Sequence, residues 1–155
     1  MNKNFKVLII LGSKSDLEKM ESCKTFLDKF EIPYNLEISS AHRNTEKTRL
    51  LAETAESKGY QVIIAAAGMA AALPGVVAAH TSLPVIGVPM PGSALNGVDA
   101  LYSIVQMPAG VPVACMAIGS HGAKNAALMA VRILALNDKS LAEKLKQYQD
   151  ELAKG

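Results

Sequence analysis

Strands and helices alternate along this chain, and the alternation predicts an α/β protein on a doubly wound parallel sheet of flavodoxin-like order. Two observations carry the prediction. Short β-branched apolar runs recur, each apolar on successive residues as strands covered on both faces are. Between them lie segments with apolar residues at helical spacing, and such βαβ units cross over right-handed into parallel pairs.

Phe5 to Leu11 is the first such run. Met1 to Lys6 lead into an apolar run ending at Gly12, which is too short for a secretory signal and reads as the first strand of a cytoplasmic protein. Ser15 and Glu18 then read as a capping box, Ser15 as N-cap. Leu17, Met20, Cys23, Leu27 and Phe30 follow on one helical face. Pro33 to Ile38 makes a second strand, and Asn44 or Thr45 caps a second helix that Gly59 ends. Gln61 to Ala67 makes the third strand, followed by an Ala/Gly turn and a helix from Leu73 to His80. Pro84 to Val88 is a fourth strand, Val98 to Gln106 a helix and Val113 to Ile118 a fifth strand. Helices over about 123–136 and 139–153 close the chain. The last carries a stripe of Leu141, Leu145, Tyr148 and Leu152, and with little sheet left to cover it is expected to pack on a neighbouring subunit. At 155 residues, with no repeat or linker, one domain is expected.

The charge pattern narrows the function classes. A net charge of +2 without a basic run argues against nucleic acid. Between Lys58 and Lys124 the one formal charge is Asp99. Prolines at 74, 84, 89, 91, 108 and 112 cut this stretch into pieces too short to span a membrane. A sheet core plus a surface buried against other subunits accounts for it better, so an obligate homo-oligomer is expected. Cys23 and Cys115 suit buried thiols in a reducing compartment.

In open α/β sheets ligands bind beyond the carboxyl ends of the strands, where strand order reverses. Three segments fall there: Gly12–Asp16, Ser39–Arg43 and Gly68–Gly75. The first is neither a Walker A loop nor a GxGxxG turn, which disfavours ATP and NAD. Its serines Ser13 and Ser15 suit a phosphate or a hydroxyl-rich ligand, and Asp16 a ribose diol; equally, Ser15 and Asp16 suit simple helix capping. In the second, Arg43 offers a planar fork for phosphate, Ser39 and Ser40 offer hydroxyls, and His42 is of the type suited to proton transfer near neutrality. The third, with Gly68, Met69, Ala70 and Leu73, is nearly free of side-chain function and lets backbone approach a flat ligand, or simply packs tightly. His80 reads as a helix-end charge and His121 as a capping or interface residue. The three histidines are too scattered to argue a metal site.

Gly12-Ser13-Lys14-Ser15-Asp16, Ser40-Ala41-His42-Arg43, Leu73-Pro74-Gly75, Gly87-Val88-Pro89 and Ser103-Ile104-Val105-Gln106-Met107-Pro108 together resemble the N5-carboxyaminoimidazole ribonucleotide mutases of purine biosynthesis. The resemblance runs from about Lys6 to Leu136. It implies a three-layer α/β/α sandwich, a homo-octamer, and reversible carboxylate transfer from N5 to C4 of the aminoimidazole ring with neither metal nor organic cofactor. It further implies that Ser13 and Asp16 hold the ribose-phosphate part, Ser40 and Arg43 the phosphate, and that His42 shuttles the proton. The Gly68 to Gly75 loop would enclose carbon dioxide. The chain departs from the family's frequent GGAAHLPG at Met69 and Ala72, where a glycine and a histidine usually stand. Direct carboxylation by free carbon dioxide, and a non-catalytic ribonucleotide-binding module, are the competing expectations.

Overall fold

The structure is a computed structural model and describes residues 5–155; the lead-in at 1–4 lies outside the described residues. Five parallel strands, β1 (Val7–Leu11), β2 (Tyr34–Ile38), β3 (Val62–Gly68), β4 (Val85–Met90) and β5 (Ala114–Cys115), form one sheet in the order β2-β1-β3-β4-β5. β1 lies between β2 and β3, with Val7 opposite Tyr34 on one side and Val62 on the other. That is the doubly wound, flavodoxin-like order, whose reversal falls between β1 and β3.

The helices are α1 (Glu21–Lys29), α2 (Thr45–Glu53), α3 (Leu73–Ala79), α4 (Val98–Val105), α5 (Ser120–Ala135) and α6 (Lys139–Ala153). They divide between the two faces of the sheet, and the strands' period of two makes both faces apolar. Val7, Ile9 and Leu11 of β1, Val62, Ile64 and Ala66 of β3, and Ile86, Val88 and Met90 of β4 pack under α1 and α5. Leu8 and Ile10, with Ile63, Ala65 and Ala67, pack on the other face with residues of α2, α3 and α4. Covering both faces requires strands apolar at successive positions, and β1, β3 and β4 are. On the second face Gly87 of β4 is a packing requirement. A Cβ there would stand 2.5 Å from Ile104 Cγ2 and 2.9 Å from Val113 Cγ1.

Two local expectations are corrected. Ser15 is not the cap of α1. The N-cap is Ser13, its hydroxyl oxygen accepting from the Ser15 N–H at 3.3 Å, and it caps a 3-10 turn, Lys14–Asp16. Irregular turns then carry the chain to Glu21, where α1 begins with no side-chain cap. The apolar spacing from Leu17 was right about which side faces the sheet, but tight turns place those residues as well as a helix does. The fifth strand is likewise shorter than Val113 to Ile118: it pairs with β4 only at Ala114 and Cys115. Asn44 does cap α2, its side chain accepting from the Lys47 N–H at 3.2 Å, and Gly59 stops the following turn at φ 89°.

The stripe of α6 meets its own chain. Tyr148 lies edge-on to Phe26 and Phe30 at 5.7 Å each, and Leu141 and Tyr148 are buried, with Leu145 packed beside them. Leu152 alone of the four is exposed. Among the described residues no helix is long and apolar enough to cross a membrane.

Candidate active site

The carboxyl ends of β1, β2, β3 and β4 open into one cavity of about 610 Å³, a size ordinary for a small-molecule site. Gly12, Ser13, Ser15 and Asp16 reach it from β1, and Ser40, His42 and Arg43 from β2. Gly68, Met69, Ala70 and Leu73 reach it from β3. The candidates of all three loops therefore line the same space, Ser39 excepted. Four further lining residues, Lys19, Ala67, Pro91 and Gly92, lie outside the three predicted segments. Lys19 reads in sequence like any solvated lysine of a charged helix face, and the Pro91–Gly92 turn after β4 carries no functional side chain.

Pairing of the strands fixes how the loops meet. Ser39 N–H donates to the Leu11 carbonyl and Gly12 N–H to the Ala66 carbonyl, at 2.9 Å each, so the three chain segments leave the sheet at one level. Ser39 itself is buried, its hydroxyl 2.8 Å from Thr48 Oγ1, and serves to anchor α2 rather than to face the cavity. Arg43 ties two loops together. Its Nε donates to Ser40 Oγ and its Nη2 to the Gly12 carbonyl, both at 3.3 Å, while Nη1 makes no hydrogen bond among the described residues. The exposed fork is thus aimed by its own loop and by the end of β1.

In the first loop Ser15 Oγ donates to Ser13 Oγ at 2.9 Å. Asp16 is buried, with 6% of its surface exposed, and burial pushes its carboxyl above the usual aspartate value. The charge of Lys19 and the Ser13 backbone N–H pull it back in part. His42 and Arg43 are both exposed to the cavity, adjacent in sequence on the turn after β2.

The third loop is shaped by backbone. Gly68 lies so close to β4 that a Cβ would stand 3.2 Å from the Met90 carbonyl oxygen. Met69 follows in the left-handed region at φ 57°, 65% exposed, a conformation a side chain adopts at a cost and glycine does not. The usual family glycine at this position thus has a geometric reason. Ala72, at the family's histidine position, is the N-cap of α3 and makes no side-chain cap.

The remaining candidates lie elsewhere. His80 caps the end of α3 with Nδ1 3.4 Å from Glu53 Oε1, and His121 is exposed in the first turn of α5. Cys23 is buried on the inner face of α1, which pushes its thiol up to about 12; Cys115 is half-buried, and burial raises it too. Neither is activated as a nucleophile. Among the described residues no cluster of His, Cys, Asp or Glu could hold a metal ion.

The family model described as AIR carboxylase matches residues 6–155. The N5-carboxyaminoimidazole ribonucleotide mutase of Escherichia coli strain K12 is 51% identical over 148 residues, covering 96% of this chain and 88% of that one. The enzyme of the same name from Saccharolobus solfataricus is 54% identical, covering 95% and 92%. The phosphoribosylaminoimidazole carboxylase of Schizosaccharomyces pombe is 54% identical over 93% of this chain, which spans 26% of that longer protein. Among solved structures, PurE of Treponema denticola superposes with a TM-score of 0.85 at 33% identity, covering 96% of this chain and 91% of that one. A doubly wound sheet with this cavity at its switch point, matched over nearly its whole length, places the chain in the AIR carboxylase family.

Proposed function

We propose that this chain is an isomerase of purine biosynthesis, an N5-carboxyaminoimidazole ribonucleotide mutase that moves the carboxylate from N5 to C4 of the aminoimidazole ring. The observation that carries the reading is the convergence of His42, Arg43 and the Gly68–Leu73 loop on one cavity, in a chain about half identical to mutases.

Arg43 and Ser40 hold the phosphate, the guanidinium already oriented from behind by Ser40 Oγ and the Gly12 carbonyl. Ser13, Ser15 and Asp16 take the ribose-phosphate part, the carboxylate accepting from the diol. His42 moves one proton. As the N5–carboxylate bond breaks, the imidazolium protonates N5 and carbon dioxide is released into the cavity. C4 then attacks carbon dioxide, the new carbon–carbon bond forms, and the neutral imidazole removes the C4 proton. One proton enters and one leaves, so the reaction needs no co-reactant and no cofactor. Backbone of Gly68, Met69 and Ala70, with Leu73 behind, encloses carbon dioxide between the two steps.

The enzyme acts in the cytoplasm as a homo-oligomer, an octamer by family resemblance. Apolar side chains left on the surface of α4, Val98, Tyr102 and Val105, support assembly.

A second reading is direct carboxylation of aminoimidazole ribonucleotide by free carbon dioxide, favoured by the similarity to the Schizosaccharomyces pombe carboxylase. Purified protein is assayed with N5-carboxyaminoimidazole ribonucleotide and, separately, with aminoimidazole ribonucleotide plus bicarbonate. Turnover of the first at low bicarbonate is expected. Turnover of the second alone would replace the mutase reading with the carboxylase one.

A further inference from the structure

Tyrosines aside, three polar or charged side chains are buried among the described residues: Asp16, which lines the cavity, and the pair Ser39 and Thr48, which do not. Thr48 has 0% of its surface exposed, and its hydroxyl has two partners. Its Oγ1 lies 3.1 Å from the Asn44 carbonyl oxygen and 2.8 Å from Ser39 Oγ. A carbonyl oxygen only accepts, so the single Thr48 proton goes to Asn44 and the Ser39 hydroxyl donates to Thr48. Thr25, Thr54 and Ser103 also bond back to a carbonyl four residues earlier, and among the described residues their hydroxyls bond to nothing else. Thr48 does the same and also takes a bond from outside its helix.

The two partners are the ends of one turn. Ser39 follows β2 directly and is fixed to the sheet, its N–H donating to the Leu11 carbonyl at 2.9 Å. Asn44 is the N-cap of α2. Between them stand Ser40, Ala41, His42 and Arg43, closed by the Asn44 N–H on the Ser40 carbonyl at 2.8 Å. The relay from Ser39 through Thr48 to Asn44 thus ties the sheet end of the turn to its helix end, from inside the protein. Lys47 spans the same gap from the outer side, its Nζ donating to the Ile38 carbonyl at 3.0 Å. The buried tie is the firmer of the two, since no water competes for its partners.

The two functional side chains on the turn depend on it unequally. Arg43 has ties of its own, to Ser40 Oγ and the Gly12 carbonyl. His42 makes no side-chain hydrogen bond among the described residues, so the backbone of the turn sets where its imidazole stands in the cavity. Proton transfer is sensitive to that placement, a displacement of about 1 Å costing on the order of 10²-fold in rate.

We infer that Thr48, outside the cavity, is a positioning residue for His42: its buried hydroxyl bridges the two ends of the Ser40–Arg43 turn and fixes where the turn presents the imidazole. The inference rests on the mutase reading for the reaction that His42 serves, while the placement of its ring is a property of the free protein.

Three variants of the full chain test it. Thr48→Val removes the hydroxyl at nearly constant shape, Thr48→Ser keeps it, and a double variant, Ser39→Ala with Thr48→Val, removes both hydroxyls. In Thr48→Val the Asn44 carbonyl keeps the backbone N–H of residue 48, which it accepts at 3.1 Å, so the group left unpaired is the Ser39 hydroxyl. The urea midpoint of Thr48→Val is expected to fall, and the double variant, with no hydroxyl left unpaired, to regain most of that loss. Turnover is expected not to follow stability. In both variants kcat should stand about tenfold below wild type with KM within about threefold, and Thr48→Ser should stay near wild type. In NMR spectra without substrate, the His42 ring C–H resonance, identified by His42→Asn, is expected to shift in Thr48→Val and the double variant but not in Thr48→Ser, while His121 stays in place. An unchanged kcat in Thr48→Val overturns the inference, as does a kcat that recovers with stability in the double variant, because the hydroxyls would then serve the fold alone. So does a loss confined to KM, which would assign the tie to Arg43, and so does an unmoved His42 resonance. Should Thr48→Val not fold, the double variant carries the same comparisons. A wild type that turns over neither ribonucleotide refutes the mutase reading, and the His42 resonance still decides the role of Thr48.

Discussion

His42 and Arg43 are neighbours in sequence and differ in what holds them. Arg43 is fixed at two points, to Ser40 Oγ and to the Gly12 carbonyl, as a group that orients an anion must be. His42 makes no side-chain hydrogen bond among the described residues and stands in the cavity free to meet the ring of a bound ligand. Replacing it tests chemistry apart from binding. His42→Asn keeps a polar side chain of similar reach and removes the titratable nitrogen, so kcat is expected to fall by a factor on the order of 10² to 10⁴. Affinity for the product ribonucleotide, read by calorimetry, is expected to stay within about threefold. Asp16 gives the opposite dissociation of properties. Burial raises its folded pKa above the unfolded value, so its share of stability is full below that unfolded value, about 3.9, and is lost as pH rises through the folded one. Asp16→Asn has no such dependence. Its urea midpoint is expected to exceed wild type at about pH 8 and to lose that advantage at about pH 3.5, while substrate affinity drops about tenfold to a hundredfold. These residues were legible because each is a polar type at the end of an apolar run. Lys19, which lines the same cavity, was not, because in sequence it reads like any solvated lysine of a helix face.

The elements show where local rules suffice and where geometry overrides them. Strands β1, β3 and β4 were legible because burial on both faces demands apolar residues at every position. Ser15 with Glu18 satisfied the capping pattern, yet Ser13 took the cap, since the first turn is 3-10 and bonds two residues on rather than three. β5 was overestimated because Met116 to Ile118 look extended and apolar, although the chain there has already left the ladder for the approach to α5. The Gly68–Gly75 loop was legible as a departure from the family and illegible in cost. Only the backbone shows that Met69 sits at φ 57°, where a side chain costs about 1 to 2 kcal/mol. Met69→Gly relieves that strain and concedes part of the gain to the freer unfolded chain. The net expectation is a gain of about 1 kcal/mol in urea-induced unfolding. A neutral or destabilising result would mean that the Met69 side chain is held by contacts worth as much as the strain.

At the scale of the whole molecule, the stretch from Gly59 to Ala123, charged only at Asp99, divides into two populations. β3, β4 and α3 account for one, since their residues fill both cores. α4 accounts for much of the other. Its inner side, Ala100 and Ile104, is buried against the sheet, but its outer side is apolar as well. Val98, Tyr102 and Val105 recur at helical spacing with 42%, 63% and 50% of their surfaces exposed, and Leu95 just before them is 61% exposed. A surface helix of a monomer turns polar residues outward, so a helix apolar on both sides fits the proposed homo-oligomer. Asp99 does not break the face, because its carboxylate is drawn to the Ser93 hydroxyl at 2.8 Å. Tyr102 is the largest and most exposed of the stripe and the natural anchor of such a contact. Tyr102→Asp places a charge at its centre, which an interface core disfavours. The dissociation constant of the assembly is expected to rise by about thirtyfold or more, the equivalent of about 2 kcal/mol. Sedimentation velocity across a dilution series would resolve it as a shift to smaller species at concentrations where wild type stays assembled. The fold of each subunit should survive, because the Tyr102 side chain contributes to neither core cluster. An unchanged sedimentation profile would place the subunit contacts on another face and leave the outer side of α4 without a partner.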